Sequence, residues 1–172
     1  MKKHVIVLVG ICLLIAGCNT CPKHFSSVDE LVKDALNDVP MITPENLHEL
    51  MNSEEIYTLI DVRQKSEYYY GYIPGALVIP RGSIEFRIGN EKFWEDEGLY
   101  MPNKDEKIVL YCKKGSRGVL AAQSLKKLGY INVVALEGGF IKWELTYPDE
   151  TEKDLDMLSG GAEEEEADTG GC

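Results

Sequence analysis

Cys112 opens the stretch Cys112-Lys113-Lys114-Gly115-Ser116-Arg117, and residue types at this spacing can do nucleophilic sulfur chemistry. Ahead of it lies Lys107-Ile108-Val109-Leu110-Tyr111, a short apolar run that reads as a strand, and behind it Arg117 to Leu128 reads as a helix. A thiol at a strand end, followed by a small Gly/Ser loop and a helix start, sits where backbone N–H groups converge and favour negative charge. Lys113, Lys114 and Arg117 add positive potential, which favours the thiolate. Most free cysteines are small buried hydrophobes. Two lysines, a glycine, a serine and an arginine in the next positions make a poor core sequence and a good anion cradle. Cys112 is therefore expected to be a nucleophile.

The elements that must hold this loop can be read in turn. Ser27-Val28-Asp29-Glu30 has the form of a capping box, and Leu31, Val32, Ala35, Leu36 and Val39 continue an amphipathic helix up to Pro40. Thr43-Pro44-Glu45 starts a second helix, which runs to about Asn52. Strands are expected at Ile56–Ile60, Ala76–Ile79, Lys107–Tyr111 and Asn132–Leu136. Short helices are expected around Lys65–Tyr70 and Ser83–Ile88, and a last helix after Gly138-Gly139. The stretch between Arg81 and Leu99 is otherwise mixed. Alternating strands and helices argue an α/β fold with a central parallel sheet and helices on both faces. Chemistry in such sheets gathers at the carboxyl ends of strands, where both Asp61 and Cys112 fall.

The 172 residues suit one domain plus extensions, and a 44% hydrophobic content can build a core. A formal charge of −11 excludes a general nucleic-acid binder. Much of that charge is local, because 149–172 holds ten acidic residues against the single Lys153. Residues 148–172 are read as an acidic disordered tail.

The N-terminus carries Lys2 and Lys3 ahead of an apolar run from Val5 to Gly17. Such a run is too short to span a bilayer, which takes about twenty residues, but it fits a signal-peptide core. Its ending, Leu14-Ile15-Ala16-Gly17-Cys18, resembles the lipobox of bacterial lipoproteins. That resemblance implies a signal peptide over residues 1–17, cleavage before Cys18 and lipid on the Cys18 thiol. More than one acyl chain makes anchoring stable, at about 0.8 kcal/mol per buried CH₂. The domain is then expected on a bacterial membrane, facing the periplasm or the cell exterior, with residues 18–40 as lipidated N-terminus, tether and short helix. Cys18-Asn19-Thr20-Cys21 is formally a C-x-x-C, but no second cysteine pair follows and no strand precedes it. No metal and no cofactor is called for. A bridge between Cys21 and Cys172 stays open at this stage.

Three further motifs resemble those of the rhodanese-like domains over residues 41–147. Leu59-Ile60-Asp61-Val62-Arg63, then Glu67-Tyr68, then Gly71-Tyr72-Ile73-Pro74-Gly75-Ala76 is similar to that family's D-V-R…E-[FY]…G-H-I-P-G-A. Cys112 to Arg117 is similar to its active-site loop, C-x-x-G-x-R, and Leu136 to Trp143 to its closing L-x-G-G-x-x-x-W. Tyr72 departs from the pattern, standing where histidine is usual.

The resemblance implies a three-layer rhodanese-like fold and a sulfurtransferase. Cys112 would take the outer sulfur of thiosulfate or a similar small anionic donor and hold it as a persulfide. It would then pass the sulfur to cyanide or a thiol, free or on a protein. Lys113, Lys114, Gly115, Ser116 and Arg117 would bind the donor and the persulfide, with Arg117 either contacting the donor or bracing the loop. Asp61 and Arg63 would support the loop, and Arg81 and Arg87 could reach its rim. Phosphatases and arsenate reductases of related architecture have a loop one residue longer, whose wider cradle suits a tetrahedral oxyanion. A non-catalytic binding module is the other alternative, and such modules typically lack the cysteine.

Overall fold

The computed structural model describes residues 23–158. In chain order its elements are α1 (Val28–Ala35), β1 (Met41–Ile42), α2 (Pro44–Met51), β2 (Tyr57–Asp61), α3 (Lys65–Tyr68), β3 (Leu77–Val78), α4 (Ile84–Arg87), α5 (Glu91–Asp96), β4 (Lys107–Tyr111), α6 (Ser116–Lys127), β5 (Val133–Leu136), α7 (Gly139–Thr146) and α8 (Leu155–Leu158). The strands form one five-stranded sheet in the order β1-β5-β4-β2-β3, and every pairing is parallel.

Side chains alternate across a strand, so a run that is apolar at every position must be covered on both faces. β4 shows this directly. Ile108 and Leu110 join one buried cluster with Ala35, Ile84, Trp94, Val119, Ala122 and Leu125. Val109 and Tyr111 join the other, with Leu47, Leu50, Phe140 and Trp143. Helices α1, α4, α5 and α6 therefore cover one face, and α2 and α7 the other. This is the α/β three-layer architecture the alternating pattern predicts.

The chain reverses direction across the sheet at its centre. From β2 it moves outward to β3, then returns past β2 to β4 and continues to β5. Loops leaving β2 and β4 thus diverge, which opens a crevice at the carboxyl ends of these two strands. Asp61 and Tyr111 are register partners there, and Cys112 follows at once.

Local signals hold at several helix starts. Thr43 Oγ1 accepts from the Asn46 N–H at 3.2 Å, with Pro44 at the first helical position. Ser27 Oγ accepts from the Glu30 N–H, but the Glu30 carboxylate turns to Ser26 instead of completing the reciprocal box. α1 stops at Ala35 rather than running to Pro40. Its Ala35 and the following Val39 are buried in the core, so the short helix packs onto the sheet.

Three elements, β1, α5 and α8, are not legible in the sequence. β1 is only two residues long and forms by pairing with Ala135 and Leu136. α5 fills the mixed stretch, where Asn90 caps it and buried Trp94 donates to the Ile88 carbonyl at 3.0 Å.

Part of the stretch expected to be disordered, from Pro148 to Leu158, lies within the described residues and makes hydrogen bonds to the domain. Glu152 and Tyr72 exchange backbone hydrogen bonds of 2.9 and 3.0 Å, and the Asp154 N–H reaches the Tyr69 carbonyl at 3.1 Å. Residues 150–154 are therefore strapped onto the domain, by pairing with the segment after α3 and by a hydrogen bond from Trp143 Nε1 to the Glu150 carbonyl. The signal peptide, Cys18, Cys21, Glu163–Glu166 and Cys172 lie outside the described residues. Among the described residues, no helix is long and apolar enough to cross a membrane.

Candidate active site

The loop after β4 is short because Gly115 turns it, at a φ of +101 that a side chain would resist. The turn brings the Gly115 N–H to 3.2 Å from Cys112 Sγ, and α6 begins at the next residue. The first N–H groups of a helix have no carbonyl of their own helix to bond. Gly118 lets α6 sit close against β4: a Cβ there would lie 3.2 Å from the Leu110 carbonyl oxygen.

The other side of the loop is clamped by α7. The Phe140 N–H donates to the Cys112 carbonyl at 2.8 Å, and the Ile141 N–H to the Lys113 carbonyl at 3.1 Å. The loop's own carbonyls thus satisfy the donors at the start of α7. Such closeness requires glycine at 139, since a Cβ there would strike the Cys112 carbonyl and lie 2.7 Å from the Gly115 nitrogen.

Cys112, Lys113, Lys114, Ser116 and Arg117 together line a cup of about 250 Å³. The structure therefore gathers the residues that the sequence singles out, with Gly115 supplying its N–H to the sulfur. Cys112 itself is 2% exposed and lies at the floor of the cup. Lys113 and Lys114 enter no ion pair among the described residues, so their charges remain available to an anion in the cup.

Arg117 is differently engaged. Its guanidinium forms a two-pronged pair with the Glu67 carboxylate, at 2.6 and 2.7 Å. Those hydrogen bonds hold the Glu67 carboxyl down at about 2, against an ordinary 4.5. They hold the Arg117 guanidinium above its ordinary range. Between binding the donor and bracing the loop, Arg117 makes the bracing contact.

Asp61 and Arg63 lie below the cup and do not line it. Arg63 is 3% exposed and Asp61 0%. Arg63 Nε and Nη2 donate to the Asp61 carboxylate at 2.8 and 2.6 Å. Nη2 also reaches the Gly71 carbonyl at 2.7 Å, and Nη1 the Glu67 carbonyl at 3.3 Å. Burial works against the Arg63 charge, but the Asp61 hydrogen bonds and charge outweigh it. The Tyr111 hydroxyl accepts from the Ile73 N–H at 3.2 Å. Burial, with the charge of Asp61 in second place, keeps that hydroxyl protonated well above the ordinary range. This network fixes residues 67–73 to the strand ends, so the support reaches the Cys112 loop through Glu67.

Arg81 and Arg87 turn away from the cup, Arg81 onto Glu85 and Arg87 over the Phe93 ring. Tyr72 stacks on Tyr68 with ring centres 3.9 Å apart. Sequence reasoning assigned no role to Glu67 or Gly139. Both stood inside the quoted motifs, and the signal for Glu67 was its position three residues after Gln64, whose N–H it receives.

A second cleft, of about 390 Å³, adjoins the cup. Lys113 lines both, while Arg63, Glu67, Tyr70, Phe140 and Glu144 belong to the cleft alone.

Comparison with known proteins places this geometry in a family. The model of the rhodanese-like domain matches residues 43–146. The thiosulfate:glutathione sulfurtransferase of Homo sapiens is 33% identical over 108 residues, covering 60% of this chain and 92% of that protein. A probable adenylyltransferase/sulfurtransferase of Mycobacterium tuberculosis is 36% identical over 102 residues, covering 59% of this chain. The match spans only 24% of that longer protein. Among solved structures, the human single domain sulfurtransferase TSTD1 superposes with a TM-score of 0.57 at 30% identity, over 61% of this chain and 95% of that one. With the nucleophile loop, the parallel sheet and the closing Gly-Gly helix all in place, this chain belongs to the rhodanese-like domain family.

Proposed function

We propose that this protein is a sulfurtransferase that carries sulfane sulfur as a Cys112 persulfide. One observation carries the reading: the buried Cys112 sulfur lines a cup with the Gly115 N–H 3.2 Å away and two lysines that enter no ion pair among the described residues. The Cys112 thiolate attacks the outer sulfur of thiosulfate or a similar anionic donor. The new S–S bond forms as the donor's S–S bond breaks, and sulfite departs with the bonding pair. The outer sulfur then rests as an anion beside the Gly115 N–H and the start of α6, which favour negative charge. An acceptor thiol or cyanide removes it in a second step, giving ping-pong kinetics. Four residues separate Cys112 from Arg117, a ring suited to one sulfur atom more than to a tetrahedral oxyanion.

The test is intact-protein mass spectrometry of the full chain before and after thiosulfate, with Cys112→Ser alongside. A gain of one sulfur, absent from the variant and removed by cyanide, is the expected result. No gain with thiosulfate or with polysulfide would overturn the reading in favour of a binding module.

We further propose that the chemistry takes place at a bacterial membrane surface, with the chain held by lipid on Cys18. The reading rests on Lys2-Lys3, the apolar run to Gly17 and the lipobox-like ending at Cys18. Expression in a bacterium with radiolabelled palmitate should label the protein, and Cys18→Ser should abolish the label. Equal labelling of that variant would overturn it.

A further inference from the structure

The Cys112 loop is held at two places, and the segment 67–72 touches both. At one, the Glu67 carboxylate grips Arg117 at the start of α6. At the other, Gly71 lies so close to Phe140 that a Cβ at 71 would come within 2.9 Å of the ring. Phe140 is the residue whose N–H holds the Cys112 carbonyl. Arg63 fixes this segment through the Glu67 and Gly71 carbonyls, and the strap fixes it again. The Tyr72 N–H donates to the Glu152 carbonyl at 2.9 Å, and the Glu152 N–H returns a bond to the Tyr72 carbonyl at 3.0 Å. The Asp154 N–H donates to the Tyr69 carbonyl at 3.1 Å. The strap is anchored separately at Glu150, whose carbonyl accepts from Trp143 Nε1 and whose carboxylate lies 3.1 Å from His48 Nε2. Trp143 is wholly buried and belongs to α7, the helix that clamps the loop.

Resting on the persulfide reading, we propose that Glu152 and Asp154 are positioning residues of the sulfur site, acting through their backbone. Both lie beyond residues 43–146, the span that the family model matches, and neither lines the cup or the cleft. Their hydrogen bonds keep residues 69–72 seated against Phe140, so that the Glu67–Arg117 pair and the Phe140–Cys112 bond hold their geometry together. Without them, the Tyr72 N–H and the Tyr69 and Tyr72 carbonyls turn to water, and Gly71 moves off the Phe140 ring. The consequence falls on rate and spares donor affinity. Lys113 and Lys114 draw the anionic donor by charge, and that attraction changes little when the loop shifts by a fraction of an ångström. Attack on the donor's S–S bond depends on alignment, where a misplacement of about 1 Å can cost about a hundredfold.

The test is single-turnover loading of the full chain in detergent, with the gain of one sulfur followed by rapid quench and intact-protein mass spectrometry across thiosulfate concentrations. Glu152→Pro and Asp154→Pro each remove one strap N–H. Lys153→Pro puts the same ring between them, at an N–H that makes none of the strap's hydrogen bonds. Glu152 and Lys153 are exposed, so neither ring enters the core. Circular dichroism reports the fold of each variant. Glu152→Pro should slow saturated loading about five- to twentyfold and Asp154→Pro somewhat less. In both, the half-saturating thiosulfate concentration should stay within about twofold of the unmodified chain's. Lys153→Pro should load at the unmodified rate. Equal slowing in all three variants, unimpaired loading in the first two, or loss of the fold in both would overturn the positioning role and leave the persulfide intact. A raised half-saturating concentration at unchanged rate would also overturn it, placing the strap in donor binding. No sulfur gain in the unmodified chain would overturn the persulfide reading, and the positioning role with it.

Discussion

Arg117 Nη1 and Nη2 meet the two oxygens of the Glu67 carboxylate at 2.6 and 2.7 Å, tying the start of α6 to α3 across fifty residues of sequence. The pair joins two segments that diverge from neighbouring strands, β4 and β2. Its side chains are 40% and 32% exposed, so solvent screens it, and its share of stability should stay under about 1 kcal/mol. Its effect on function should be larger, because the pair sets where the loop stands. Arg117→Ala should lower kcat/KM with thiosulfate by about ten- to a hundredfold through a misplaced loop. Glu67→Gln should do part of the same, and the double variant should lose less than the sum of the two. A double-mutant cycle on sulfur-transfer rates would check this, and strict additivity would count against bracing.

The same pair should leave a mark on the pH dependence of stability. Glu67 titrates at about 2 in the folded chain against an ordinary 4.5, so its folded value is lowered. Its contribution is then present above about pH 4.5 and is lost as pH falls through the folded value. Urea melts of the native chain and Glu67→Gln should differ most near neutrality and converge as the pH falls toward 2. A gap that widens on acidification would contradict the assignment.

Asp61 offers a separation of structural from chemical roles. Its carboxylate neutralises a guanidinium that is 3% exposed. Asp61→Ala leaves that charge buried and unpaired, which should destabilise the fold by about 3–5 kcal/mol. Whatever fraction stays folded should still gain a sulfur from thiosulfate, because Asp61 does not line the cup. Denaturant titration reads the first effect and mass spectrometry of the folded fraction the second.

Gly139 should tolerate no side chain. Its φ of +63 is strained for an L-residue, and a Cβ would collide with the Cys112 carbonyl. Gly139→Ala should therefore cost at least about 1–3 kcal/mol and depress sulfur transfer beyond what lost stability explains. Gly118→Ala meets the Leu110 carbonyl oxygen at 3.2 Å and the Tyr111 Cα at 3.3 Å, with no positive φ, and should be milder in both. Thermal melts paired with single-turnover rates would rank the two.

What could be read in the residues divides along sequence distance. β4, the Cys112 loop and α6 are contiguous, and each carries its own signal: an apolar run, a glycine turn, a helical period. The cup was legible for that reason. β1 is two residues long and exists only because Ala135 and Leu136 lie opposite. The strap from Glu152 to Tyr72 likewise depends on a partner eighty residues away in the chain, against which local charge density argued for disorder. Arg117 was open between two roles for the same cause, since its partner belongs to another strand's loop. Ser27 shows that a local motif can also be half right, with Glu30 choosing Ser26 over the expected reciprocal bond.

The bonds from the Phe140 and Ile141 amides to the Cys112 and Lys113 carbonyls make the nucleophile loop and the first turn of α7 one cooperative unit. The loop cannot loosen alone, because doing so strips two donors from a helix whose Trp143 is wholly buried. Two backbone protons that take no part in the chemistry thus become a gauge of catalytic readiness. In a deuterium-exchange experiment, their protection would rise and fall with the geometry of the sulfur site before any substrate is added.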